Sequence, residues 1–170
     1  VLAHIGMLRG QQRTRGTIGV CPSSVVAVKS RGEGGDYEQV LARLVQDLHA
    51  AGFTVVLFPN ATREESGEAE RNNDLPVMRR IHDACVRGGM EAGPVLVDFD
   101  INAAGIKQVI AVMDLVLVSR FHAMVGALSL AVPAAVLGWS HKYVEVMARF
   151  GLQDFVMDYQ ALQAAELRAV

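Results

Sequence analysis

The sequence has 170 residues, of which 51% are hydrophobic and 20% are charged, and its formal net charge is −2. This length and composition predict a globular domain with a sizeable core and exclude a disordered chain. The small negative charge argues against the broad basic face of non-specific nucleic-acid binding, and no apolar stretch is typical of a membrane-spanning helix. Cys21 and Cys85 lack C-x-x-C spacing, which predicts no zinc centre and no disulfide framework in a reducing compartment. We expect both cysteines to be small buried hydrophobic residues.

Short apolar runs alternate with amphipathic helical patterns along the chain. The runs predict strands over 17–21, 54–58, 95–97, 115–118, 134–137 and 155–157. Helical spacing of apolar residues predicts helices that begin near Tyr37, Asp74, Ile106, Phe121 and Tyr143, and Asp74 is a candidate N-cap. Gly52 lies where the end of the first of these helices favours a left-handed residue. The strands are apolar without alternation, as in a parallel sheet covered by helices on both faces. The pattern therefore predicts an α/β fold with a doubly wound, Rossmann-like sheet of about six strands.

The domain organisation follows from where this pattern begins and ends. Residues 1–16 fit neither strand nor helix and are expected to be a linker or a remnant of a preceding domain. Residues 17–159 form the predicted Rossmann-like, donor-binding domain, and 160–170 a C-terminal helix that could be truncated. The polar segment 60–73 is expected to be a mobile, solvated excursion. Because the chain begins at Val1, we expect it to be a piece of a longer protein.

Ligands of open parallel sheets bind beyond the carboxyl ends of the strands, near the point where the strand order reverses. That rule selects the turns after the predicted strands, which hold most of the polar residues that are not simply solvated. The candidate ligand-binding residues in these turns are Ser23, Ser24, Ser119, Arg120, His122, Gly138, Ser140, His141 and Lys142. A serine pair such as Ser23-Ser24 could offer hydroxyls and amides to a phosphate, but it is a weak signal by itself.

Ser119-Arg120-Phe121-His122 is the strongest of these candidates. Arg120 and His122 are expected in the first turn of a helix, where free backbone N–H groups and the helix dipole favour an anion. An arginine at that point is unfavourable for the isolated helix, and a buried anion would reverse the penalty. Two alternatives remain open at this point. Arg120 could pair with a neighbouring carboxylate, and His122 could be a satisfied core histidine.

The segment Gly138-Trp139-Ser140-His141-Lys142 is a second candidate. Gly138 permits close approach of the backbone, Ser140 can cap the following helix, and His141 and Lys142 place cations near its start. An exposed cap with solvated charges is an equally good interpretation, and Trp139 could be a packing anchor or the wall of a sugar site. Nothing suggests a metal cage, and no phosphate loop, nucleophile elbow, zinc helix or dinucleotide fingerprint is present.

These residues resemble a known family. The most specific matches are SRFHAM at 119–124, ALSLAVP at 127–133 and GWSHKY at 138–143; IGVCPSS at 18–24, Asn73-Asp74, FGL at 150–152 and VMDY at 156–159 support them. Together they resemble the polysaccharide pyruvyl transferase family over roughly residues 17 to 159. The resemblance implies the C-terminal, donor-binding half of a fold like that of two-domain GT-B glycosyltransferases.

The resemblance also implies an activity. Such transferases move a pyruvyl group from phosphoenolpyruvate onto two hydroxyls of a sugar as a ketal, without a further cofactor, in cell-envelope exopolysaccharide biosynthesis. Arg120 and His122 would be catalytic, and the saccharide acceptor would bind mainly to the missing N-terminal domain. The fragment alone is therefore expected to be inactive, with a location in the cytoplasm or at the inner face of the membrane. Arg120→Ala is expected to abolish transfer while leaving the fold intact.

Two other functions compete with this interpretation. The first is a GT-B glycosyltransferase domain that uses a nucleotide sugar, a class whose donor half often carries two glutamates eight positions apart. No glutamate here has a partner at that spacing, which counts modestly against it. The second is a non-catalytic binding module of the same fold, against which the presence of both Arg120 and His122 argues mildly.

Overall fold

A computed structural model describes residues 15–62 and 72–161. Six parallel strands form one sheet in the order β3-β2-β1-β4-β5-β6. The strands are β1 (Thr17–Cys21), β2 (Thr54–Leu57), β3 (Val95–Leu96), β4 (Leu115–Val118), β5 (Ala134–Gly138) and β6 (Val156–Asp158). The order reverses at β1, with β2 and β3 on one side and β4 to β6 on the other, which opens a crevice beyond the ends of β1 and β4. The predicted doubly wound, Rossmann-like sheet is confirmed.

Helices fill the connections between the strands. They are α1 (Ser24–Gly32), α2 (Tyr37–Ala50), α3 (Leu75–Arg87), α4 (Ala103–Ala111), α5 (Phe121–Ser129) and α6 (His141–Ala148). A short 3₁₀ turn over Gln153–Phe155 precedes β6. Gly52, which follows α2, has φ +90°, so it adopts the left-handed conformation predicted for the end of that helix.

The helices form two layers, one on each face of the sheet. One core contains side chains of α1, α2 and α3 with Val20 of β1, and the other contains side chains of α4, α5 and α6 with Cys21 of the same strand. Adjacent strand residues therefore point into different cores and both are buried. This explains why the strands are apolar without alternation.

The sequence analysis missed α1. The segment Ser24–Gly32 contains three valines, which are weak helix formers, and it is followed directly by a loop that contains Gly34 and Gly35. Its helix is stabilised by packing, because Val26 and Ala27 are fully buried, and by the Ser23 hydroxyl, which accepts a hydrogen bond from the Val26 amide at 3.4 Å. Tertiary burial thus decides a helix that local preference leaves undecided.

Some of the predicted segments fall on residues that the structure does not describe. The predicted linker over 1–16 lies there except for Arg15 and Gly16, as do most of the polar segment 60–73 and of the predicted helix 160–170. Between residues 15 and 161, leaving out 63–71, no helix is long and apolar enough to cross a membrane.

Candidate functional site

The crevice at the centre of the sheet brings together two of the predicted turns. Cys21 at the end of β1 is in register with Val118 at the end of β4, so Ser23 and Ser24 lie beside Ser119 and Arg120. The three serines are buried, and the Arg120 side chain is 14% exposed. Residues separated by almost a hundred positions in the sequence therefore form one polar cluster.

Arg120 forms a buried ion pair with Asp74, which lies immediately before α3. The Arg120 Nη2 is 2.6 Å from Asp74 Oδ1, and its Nε lies 3.0 and 3.1 Å from the two carboxylate oxygens. The same Nη2 donates to the Ser24 hydroxyl at 2.8 Å. Pairing with a neighbouring carboxylate, an alternative left open by the sequence, is thus what the structure shows. Binding of an external anion by Arg120 stays a prediction.

Asp74 is fully buried and accepts hydrogen bonds from three further amides. Its Oδ1 accepts from the Ser24 amide at 2.9 Å, and its Oδ2 accepts from the amides of Asn60 and Ala61 at 3.2 and 2.9 Å. Although Asp74 occupies the N-cap position of α3, its side chain makes no capping bond there, and Asn73 accepts from the Leu75 amide instead. The carboxylate therefore joins the turn after β1, the loop after β2 and Arg120 through hydrogen bonds. It does not act as the predicted cap.

Ser119 is held from both layers by two tyrosines. The Tyr37 hydroxyl of α2 donates to Ser119 Oγ at 2.7 Å and accepts from the Ser23 amide at 3.2 Å. The Tyr143 hydroxyl of α6 donates to the Ser119 carbonyl at 3.0 Å. Burial raises the pKa of both tyrosines, so both hydroxyls stay protonated donors at neutral pH. Ser119 is therefore hydrogen-bonded to side chains from both helix layers, which fixes its position.

The start of α5 differs from the starts of the other helices. A side-chain oxygen accepts from a first-turn amide in α1, α2, α3, α4 and α6. In α5 the N-cap residue itself gives no such cap, because it is Arg120, a donor that accepts no hydrogen bond, and the Phe121 amide interacts instead with the Tyr143 hydroxyl. His122, in the first turn, is exposed, so it is not a satisfied core histidine. An anion would add an acceptor for the first-turn amides of this helix beyond the Tyr143 hydroxyl.

The start of α6 lies beside it, after the adjacent strand β5. The Ser140 hydroxyl accepts from the Lys142 amide at 3.4 Å, which confirms the predicted cap, and His141 and Lys142 are exposed. Trp139 is 38% exposed and packs edge-to-face on Tyr143, as does Phe121 of α5. These ring contacts bring the start of α5 next to the start of α6.

A cavity of about 400 Å³ opens at the start of α6. Its wall combines apolar and polar groups from the ends of β5 and β6 and from α6: Gly138, Trp139, Ser140, His141, Val144, Val156, Met157 and Asp158. A Cβ on Gly138 would lie 3.1 Å from Val156 Cγ1, so the missing side chain serves the contact between β5 and β6. An aromatic face beside hydroxyl, imidazole and carboxylate groups is chemistry that suits a polyhydroxylated ring.

A second concave surface, of about 460 Å³, lies at the opposite edge of the sheet. The side chains that line it are all apolar and include Leu115, Pro133, Phe150 and Phe155. Because no titratable or hydrogen-bonding side chain lines it, we do not regard it as a candidate site of chemistry. Across the described ranges, no group of three His, Cys, Asp or Glu side chains could hold a metal ion.

Sequence reasoning placed the serines, Arg120 and the α6 residues at the correct edge but missed their partners. The sequence pattern predicts Asp74 only as the cap of its own helix, and Tyr37 and Tyr143 only as members of the apolar spacing of theirs. A signal was present, because an arginine at a helix start needs a counter-charge. Which carboxylate supplies it cannot be derived from spacing, since Asp74 is 46 positions away.

No family model matches the chain, and no curated protein matches its sequence. The fold is similar to that of E. coli trehalose-6-phosphate synthase, a GT-B glycosyltransferase, in a structure with UDP-2-fluoro glucose bound. The TM-score is 0.54 at 11% identity, and the match covers 98% of this chain and 39% of that chain, so this chain spans about two fifths of the glycosyltransferase. The similarity supports the predicted GT-B-like fold, and the pyruvyl transferase resemblance stays a prediction.

Proposed function

We propose that this chain is the donor-binding domain of a two-domain transferase, and that the donor is phosphoenolpyruvate. The proposal combines the GT-B-like fold with the sequence resemblance to pyruvyl transferases. Phosphoenolpyruvate carries a phosphate and a carboxylate, so it needs more than one anion-binding group in a small space.

The start of α5, whose N-cap residue supplies no side-chain cap, carries the proposal. It lies at the switch point of the sheet, has Arg120 at its N-cap position and exposes His122 in its first turn. The adjacent start of α6 adds the exposed residues His141 and Lys142. We infer that two helix starts with these side chains, beside the Arg120–Asp74 pair, supply the positive groups that bind a small dianion.

The proposed reaction assigns a separate task to each group. A proton is added to the methylene carbon of the donor, and a sugar hydroxyl attacks the neighbouring carbon. Phosphate leaves, and a second hydroxyl closes the ketal, so that one diol and one phosphoenolpyruvate give one ketal and one inorganic phosphate. The α5 start and Arg120 would stabilise the charge on the leaving phosphate. His122 would supply the proton or bind the phosphate, and Trp139 would border the sugar.

A variant of His122 separates its two possible tasks. His122→Gln keeps a hydrogen-bond donor but cannot deliver a proton at neutral pH. If His122 is the acid, the complete transferase carrying His122→Gln binds phosphoenolpyruvate normally and transfers at least about a hundredfold more slowly. If His122 only binds phosphate, affinity and transfer both stay within about tenfold of wild type. Normal binding and transfer in His122→Ala would contradict either role.

Calorimetry with the purified protein tests the choice of donor. We expect saturable binding of phosphoenolpyruvate and none of UDP-glucose at the same concentration. The matched control for a cationic side chain is Lys107→Ala, which removes an exposed lysine on α4. Binding that survives in this control but is weakened in Lys142→Ala places the ligand at α6. Absence of phosphoenolpyruvate binding would contradict the proposal.

A nucleotide-sugar glycosyltransferase is the second candidate, because the structurally similar protein was solved with UDP-2-fluoro glucose bound. In that case Trp139 and the cavity of about 400 Å³ would border the nucleotide or the sugar. Saturable binding of UDP-glucose without binding of phosphoenolpyruvate would favour this function.

A further inference from the structure

The turn between β1 and α1 is where Rossmann-like domains bind a ligand phosphate, against the first amides of the helix. In this protein Ser24 provides the first amide of α1, and it donates to the Asp74 carboxylate at 2.9 Å. The amides of Asn60 and Ala61 and the guanidinium of Arg120 also bond to that carboxylate. A helix start, two loop amides and an arginine are the donors that a protein offers to a phosphate.

We propose that Asp74 is an internal anion that fills this turn and excludes a ligand phosphate from it. Its carboxylate takes the acceptor role that a bound phosphate has in related architectures, and it is fully buried. The anionic donor is consequently directed to the starts of α5 and α6, a consequence that rests on the proposed function. The filling of the α1 turn does not rest on it.

The energetic cost of burying the Asp74–Arg120 pair agrees with a role in orienting Arg120. A buried ion pair is rarely more stable than apolar residues of the same volume, because both charges lose their hydration. The Asp74–Arg120 pair instead fixes the guanidinium in one orientation at the switch point, with bonds to both carboxylate oxygens and to Ser24. Asp74 is thus a positioning residue for Arg120.

Chemical rescue tests this proposal. Asp74→Gly removes the carboxylate and leaves a space that formate can enter, whereas Asp74→Asn fills the same space with a neutral amide. We expect both variants to have a lower Tm than wild type. Formate at about one hundred times its Kd should raise the Tm of Asp74→Gly by about 5–10 °C relative to chloride at equal ionic strength. It should not raise the Tm of Asp74→Asn or of wild type.

The matched control is Asp98→Gly, which removes the exposed carboxylate paired with Arg79 at 2.8 Å. Formate should leave its Tm unchanged, because no enclosed space is created there. A merely structural loss in Asp74→Gly would lower the Tm without rescue, and that result would overturn the proposal. Equal rescue of the control would also overturn it, since the effect would then be a general one of formate.

A measurement on the wild-type protein tests whether the turn before α1 excludes a ligand phosphate, even if Asp74→Gly does not fold. In ¹H–¹⁵N spectra, inorganic pyrophosphate should not shift the amides of Ser24, Asn60 and Ala61. A saturable shift of these amides would show that the turn accepts a ligand phosphate, and it would overturn the proposal. Failure of phosphoenolpyruvate to shift the amides of His122 and Lys142 would contradict the proposed function alone.

Discussion

The two halves of the carboxyl edge of the sheet are built in different ways. Beyond β1 and β4, polar side chains are buried and paired with one another, as Asp74 with Arg120 and Tyr37 with Ser119. Beyond β5, His141 lines an open cavity, and Lys142, which follows it in the chain, is exposed. The paired side can hold groups in fixed orientations, and the open side can admit a ligand. The start of α5 lies between them and has features of both.

The largest expected effect comes from breaking the ion pair. Arg120→Ala leaves the Asp74 charge buried without its partner, and we expect a loss of about 3–5 kcal/mol in the free energy of unfolding. Urea denaturation measures this, with Arg79→Ala in the exposed pair with Asp98 as the control, expected to lose about 1 kcal/mol or less. The expectation that the fold of Arg120→Ala stays intact is thereby revised. A loss below about 1 kcal/mol would mean that the pair is not buried as described.

Removing the hydroxyl of Tyr37 or of Tyr143 compares the contributions of the two helix layers to stability. Tyr37→Phe removes a donor to Ser119 and the acceptor of the Ser23 amide, whereas Tyr143→Phe removes a donor to the Ser119 carbonyl and an acceptor for Trp139 and the Phe121 amide. We expect Tyr37→Phe to lose about 2–3 kcal/mol in the free energy of unfolding, because its partners are buried. Tyr143→Phe should lose about 1 kcal/mol, because Trp139 is 38% exposed and can bond to water instead. Thermal and urea denaturation of both variants measure these losses. A larger loss in Tyr143→Phe would contradict the description of the α1 and α2 side as the more constrained one.

The two cysteines allow a measurement of how inaccessible to solvent the paired side, beyond β1 and β4, is. Burial, reinforced by the Asp74 charge, raises the pKa of Cys21, and burial raises that of Cys85 to about 11. Because unfolded thiols ionise near pH 8.5, stability should fall as the pH rises from about 8.5 towards 11. Thiol labelling at about pH 8 should be slow for both residues in the wild type. It should become faster for Cys21 than for Cys85 in Arg120→Ala; equal acceleration would indicate global unfolding.

The smallest effect on stability is expected on the open side. Lys142→Ala should change the free energy of unfolding by less than about 0.5 kcal/mol, because the side chain is exposed and solvated. If the donor binds here, its affinity for phosphoenolpyruvate should fall about two- to fivefold, the effect of one exposed charge. Calorimetry measures the change, and Lys107→Ala should leave the affinity unaltered. Equal affinity in Lys142→Ala and wild type would remove Lys142 from the proposed site.

Strands buried on both faces have a distinct apolar signature, so the sequence predicted a parallel sheet. Because ligands bind beyond the carboxyl ends of such strands, it also predicted the edge of the sheet at which polar residues gather. It also predicted the cap at Ser140 and the left-handed Gly52, since both depend on neighbouring residues alone. It missed α1, whose valines disfavour a helix until the core covers them. It misjudged Asp74, whose side chain turns away from its own helix.

By itself, then, the sequence determined the order along the chain of the strands and of the helices other than α1, and the presence of Arg120 and His122 at a helix start. These are local properties, set by the periodicity of apolar residues and by the geometry of turns. The tertiary structure decided that Arg120 is paired and His122 is exposed, because the pairing joins residues from separate segments of the chain. A long-range ion pair leaves no periodic trace in a sequence, and only the folded sheet brings its two charges within 2.6 Å.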